Sequence, residues 1–159
     1  MSNTYAIVSA LLICFAAAVL EGLCAGKNVR AFFLTVRIPK YSAPLWAWSI
    51  IGVLYYAIFG FVLYRLFRVG AGDALVRSGI TLVVVMMALN ALTNYVIFRA
   101  RDLRRSFLIG VFFPVLDVAL FVILLQIDSP AALSLIPYLV YRIYGVYWGY
   151  ALWKANPRA

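Results

Sequence analysis

The stretch Ile80-Thr81-Leu82-Val83-Val84-Val85-Met86-Met87 decides the architecture. Its apolar side chains do not alternate with polar ones, whereas a membrane-spanning strand is about ten residues of period-two alternation. Inside lipid, only helices and closed barrels satisfy every backbone N–H and C=O. The run therefore reads as helix. It extends from about Ser78 to Phe98, close to the roughly 20 residues that cross a hydrocarbon core of about 30 Å.

Working outward, four more runs of that kind appear, at about Tyr5 to Ala25, Pro44 to Leu66, Ser106 to Ile127 and Ala131 to Trp153. The expectation is an all-α membrane protein, a bundle of five transmembrane helices forming one domain over residues 1–159. Composition agrees. Hydrophobic residues make up 67% and charged residues 12%, against about 45–50% and about 25% in soluble domains. A soluble globule, a disordered chain and a disulfide-stapled module are excluded. No basic residue precedes the first run, and it is long for a cleaved signal, so it is expected to remain as a helix.

Fourteen basic and five acidic residues give a formal charge of +9. The basic residues cluster between the apolar runs, where they orient helices and meet anionic lipid head groups, and no nucleic-acid partner is expected. Lys27, Arg30, Arg37, Lys40, Arg99, Arg101, Arg104, Arg105, Lys154 and Arg158 fall on one side of the expected membrane. Arg65, Arg68 and Arg77 fall on the other. By the positive-inside rule the N-terminus lies outside and the C-terminus in the cytoplasm, with a cell inner membrane as the expected location.

The chemistry-bearing residues are few. Histidine is absent, and Cys14 and Cys24 form no CxxC, so no metal site, redox motif or disulfide is expected. Without a nucleophile–base pair, a phosphate-binding glycine loop or closely spaced carboxylates, an enzyme is not expected, and no cofactor is required. Asp117 lies eleven residues before Asp128, and Arg142 twelve after Pro130. At about 1.5 Å per residue both sit roughly 17 Å from the same face. A charge at that depth pairs or faces a cavity. Either Asp117 and Arg142 form a structural ion pair, or Arg142 anchors an anionic ligand group. Asn90 and Asn94 share a helix face, where they cross-link helices or line a pocket. The aromatic set includes Trp46, Trp48, Tyr56, Tyr138 and Tyr141. Rings of this kind either pack helices or stack on a flat apolar ligand, while Trp46 and Trp153, near run ends, suit an interfacial belt. Glu21 reads as an interfacial, solvated acid. Gly22 and Gly26 form a GxxxG, and Val146, Tyr150 and Lys154 fit a weak sterol-contact pattern. The segment Lys27 to Ala43 reads as a structured loop, and Asp128-Ser129-Pro130 as a turn between antiparallel neighbours.

Four stretches together resemble the translocator protein family, also called the tryptophan-rich sensory protein (TspO/MBR) family. They are Pro44-Leu45-Trp46-Ala47-Trp48 followed by Tyr56, Gly60 and Tyr64; Leu89-Asn90 with Phe98-Arg99-Ala100-Arg101; Leu135-Ile136-Pro137-Tyr138-Leu139; and Tyr150-Ala151-Leu152-Trp153-Lys154-Ala155-Asn156. Departures accompany them. The family's double proline is Ala43-Pro44, and its further tryptophans fall at Gly52, Thr93 and Tyr141. Its last-helix asparagine falls at Gly149. The resemblance implies a cavity closed by the first loop that binds tetrapyrroles or sterols, often in a homodimer. Asp117 and Arg142 match no family motif position. The expected ligand-binding set is Trp46, Trp48, Tyr56, Asn90, Tyr138, Tyr141 and Arg142, around a bound tetrapyrrole or sterol-like lipid. The implied role is sensing, sequestration or transfer. Two alternatives are a small secondary transporter using Asp117 and Arg142, and a regulatory membrane subunit.

Overall fold

Side-chain caps set where four of the helices begin. A computed structural model describes residues 2–27 and 29–157; Arg158, part of the charge asymmetry above, lies outside them. Helix α1 spans Asn3–Ala25, α2 Val29–Thr35, α3 Leu45–Val69, α4 Ala74–Phe98, α5 Leu103–Ile127 and α6 Ser129–Ala155. The first free N–H groups of a helix need acceptors, and a capping carboxylate supplies one for about 1 kcal/mol. Asp73 accepts from Leu75 N at 2.7 Å, Asp102 from Arg105 N at 2.8 Å and Asp128 from Ala131 N at 2.9 Å. Because these caps lie outside the apolar runs, α4, α5 and α6 start earlier than hydropathy alone suggests.

The expectation of five transmembrane helices is corrected here. The described residues form six helices, and four of them, α1, α3, α4 and α5, are long and apolar enough to cross a membrane. The last apolar run does form a helix of 27 residues, but Tyr138, Tyr141, Arg142, Tyr144, Tyr147, Tyr150 and Lys154 make it less apolar than the others. Tyr138, Tyr141 and Arg142 sit on a face turned to a cavity, where apolarity is not required. The sixth helix is the short α2, folded inside the segment read as a loop.

Around the bundle α1 contacts α3 and α4, α5 joins α4 to α6, and α6 closes back onto α3. The half of the bundle near the α3–α4 turn is packed solid. Phe59, Val62, Leu63, Leu66, Val83, Leu120, Leu124 and Leu135 are fully buried there. Gly79 makes one close approach possible: a Cβ there would stand 3.3 Å from Leu66 and 3.4 Å from Ile123. Arg65 and Asp128 close this end with a salt bridge of 2.6 Å. The outer face is rich in exposed Leu, Ile, Val and Phe. In water it would be an aggregation surface; in lipid tails it is an ordinary one.

Candidate ligand cavity

The opposite half of the bundle is hollow. A cavity of about 380 Å³ opens there, walled by the C-terminal ends of α1, α4 and α6 and the N-terminal ends of α3 and α5. The polypeptide between α1 and α3 covers this end. Val29 and Phe33 of α2 contribute to the wall, while Phe32 is fully buried with Leu103, Trp148 and Leu152. The Phe32 ring meets Phe98 edge-on at 5.2 Å. Gly26 releases the chain from α1 with φ of +75°, a conformation in which a Cβ is strained, and an added Cβ would also meet Arg99 at 3.0 Å.

Side chains from α3, from α6 and from the residue that follows α6 pin this cover in place. Asn156 accepts from Arg37 N at 2.8 Å and donates to Arg37 O at 2.9 Å. The Tyr144 hydroxyl accepts from Ala43 N at 3.0 Å and donates to Tyr41 O at 3.1 Å. The Trp148 indole donates to Ser42 Oγ at 2.9 Å, and that of Trp48 donates to Ala43 O at 3.0 Å. The two indole rings lie 4.8 Å apart at the α3–α6 seam.

Of the expected site residues, the structure brings Trp48, Asn90, Tyr138, Tyr141 and Arg142 together on the cavity wall. Trp46 is not on that wall and is 68% exposed. Two residues along a helix turn the side chain by about 200°, so Trp46 and Trp48 cannot both face inward. Tyr56 is half-buried behind the wall and donates its hydroxyl to Glu21 Oε2 at 2.5 Å.

Two polar groups mark the interior. Arg142 Nε donates to Asp117 Oδ2 at 3.1 Å, and its Nη2 donates to the Tyr138 hydroxyl. The guanidinium lies over the Phe113 ring, 4.2 Å from its centroid. Of the two readings left open above, the ion pair is formed, and Arg142 borders the cavity while forming it. Asp117 is 1% exposed, so the pair offsets what would be a buried lone charge. Glu21 is the second group. It is half-buried on the wall, not a solvated interfacial acid, and its Oε1 accepts from Asn94 Nδ2 at 2.6 Å. Sequence reading missed Glu21, Tyr55, Phe33 and Trp148 as wall residues. Only Glu21 carried a usable signal, an acid one turn inside an apolar run.

Four of the five positions where this chain departs from the resemblance noted above, Gly52, Thr93, Tyr141 and Gly149, line the cavity. A Cβ built on Gly52 meets nothing within 4 Å. The space a tryptophan would fill is open. Comparison with curated proteins finds no match. A sequence model of the TspO/MBR family matches residues 10–154, nearly the whole length, and the chain belongs to that family.

Proposed function

We propose that this membrane protein is a binding protein that holds one flat hydrophobic ligand in the cavity beneath α2, in a sensing, sequestering or transfer role. The observation that carries the reading is the cavity itself, apolar and aromatic-walled with a few convergent polar groups, the usual form of a small-molecule site. Trp48, Tyr138 and Tyr141 supply ring faces, while Asn90 and the remaining N–H groups of Arg142 supply directional contacts. Tyr56 acts from behind, through Glu21. At about 380 Å³ the space is near the lower end of the roughly 300–1,000 Å³ typical of ligand sites. A sterol-sized or tricyclic guest suits it better than a full tetrapyrrole, which requires the cover to lift. The basic end, which carries the cover, faces the cytoplasm, and a homodimer is the expected assembly.

Binding rather than transport is favoured because Asp117 and Arg142 are already joined at 3.1 Å and held by Tyr138 and Phe113. Such a pair suits helix registration. The test uses a variant in which Trp46 and Trp153 are Phe, so that emission reports Trp48 and Trp148 alone. Titration with a flat aromatic probe, acridine or an uncharged porphyrin ester, should quench this emission saturably at one ligand per protomer. A linear, detergent-like response would refute the site.

A further inference from the structure

Four of the five acidic side chains have a structural assignment. Asp73 caps α4. Asp102 caps α5 and pairs with Arg105; Asp128 caps α6 and pairs with Arg65; Asp117 pairs with Arg142. Glu21 has neither a helix N-terminus nor, among the described residues, a cation within ion-pair distance. Both of its partners, the Tyr56 hydroxyl and the Asn94 amide, are neutral donors. Arg142 is the one cation on the described cavity wall, and Asp117 already offsets it. The wall therefore carries one formal negative charge in excess, inside a bundle surrounded by lipid.

That carboxylate has acceptor capacity left, since two donors fill about half of its lone-pair sites. A second acceptor lies just behind the same wall, which Tyr55 helps to line. The Tyr55 hydroxyl is buried and has no hydrogen-bond partner among the described residues. Its ring packs at 5.1 Å on that of Tyr56, whose hydroxyl holds Glu21. An unpartnered hydroxyl costs about 1–3 kcal/mol, and a donor on a ligand removes that cost. The same wall carries the rings of Phe33, Trp48 and Tyr141, and the faces of such rings attract a cation. An anionic group would instead add a second unbalanced negative charge.

Resting on the reading of this cavity as a ligand site, we infer that its guest carries a protonated amine, which Glu21 receives with the Tyr55 hydroxyl as second acceptor. The ligand class is a flat polycyclic cation, not an anionic ring.

The test is equilibrium dialysis of the full chain in an uncharged detergent at neutral pH, with three tricyclic probes of one shape. They are 9-aminoacridine as cation, acridine as the neutral probe and acridine-9-carboxylate as anion. The cation should bind about tenfold or more tighter than the other two, as a charge-assisted contact allows. In Glu21→Gln that ratio should collapse toward one, and in Tyr55→Phe it should fall by a few-fold. Equal binding of the three probes, tightest binding of the anion, or a cation preference that survives Glu21→Gln would overturn the charge assignment and leave the cavity reading standing. Saturable binding of none of them would overturn both. The wild-type ranking decides even if a variant fails to fold.

Discussion

Removing Asp117 is the sharpest perturbation of the interior. Asp117→Ala leaves the Arg142 guanidinium, whose side chain is 15% exposed, without its counter-charge. Breaking one half of a buried pair costs about 3–5 kcal/mol. The lower end applies here, because Arg142 borders a cavity that can admit water and retains Tyr138 and the Phe113 ring. For a chain of this length about 1 kcal/mol corresponds to roughly 2–4 °C in Tm, so a loss of about 6–12 °C is expected. Arg142→Ala should cost a similar amount by orphaning a carboxylate that is 1% exposed. The double variant should be milder than the sum of the singles by about 2 kcal/mol, since neither charge is then left alone. Thermal unfolding of the purified protein in detergent, followed by far-ultraviolet circular dichroism, measures all three. Additive effects, or single variants within about 0.5 kcal/mol of wild type, would refute the pair as an organiser of the α5–α6 packing.

Further outcomes follow from the same geometry. Gly52→Trp should fill the cavity and abolish saturable binding while Tm stays within about 2 °C, as a Cβ there meets nothing within 4 Å; retained binding would place the ligand elsewhere. Asn156→Ala removes both contacts to Arg37, about 1 kcal/mol each, so amide exchange over residues 29–43 should accelerate severalfold while the α3–α5 core is unchanged. Burial pushes the Asp128 carboxyl up, but the Arg65 hydrogen bonds and the Ala131 N–H outweigh it and hold the group below its ordinary range. Its folded pKa thus lies below the unfolded value of about 3.9. The stabilisation it gives is present above that value and is lost as pH falls through the folded pKa. Asp128→Asn should flatten the acid limb of a stability–pH profile.

How legible the protein was in its sequence depends on the range of the forces involved. Lipid imposes a local rule, long apolar stretches with internally satisfied backbone, so α1, α3, α4 and α5 could be placed from composition alone. The last helix obeys a different rule. Its inner face meets a cavity, and Tyr138, Tyr141 and Arg142 on that face, with the exposed Tyr147, Tyr150 and Lys154, lower the hydropathy that marks a span. With seven residues, α2 is too short for a periodic pattern, and its register comes from burying Phe32 against α5 and α6. The pairing of Asp117 with Arg142 was visible as one of two options because equal depth on antiparallel neighbours is simple arithmetic. Glu21 was read as solvated because its contacts with Tyr56 and Asn94 depend on how α1 is rotated against α3 and α4. No short-range signal encodes that rotation. The helical period does encode one fact about the site: Trp46 and Trp48 point to opposite sides.

The most direct measurement is native mass spectrometry of the protein extracted from the membrane in which it is made, beside Gly52→Trp treated identically. The proposed function predicts one discrete small-molecule adduct per protomer in the wild type and none in the variant. Bare protein in both samples, or the same spread of lipid masses on each, would contradict it.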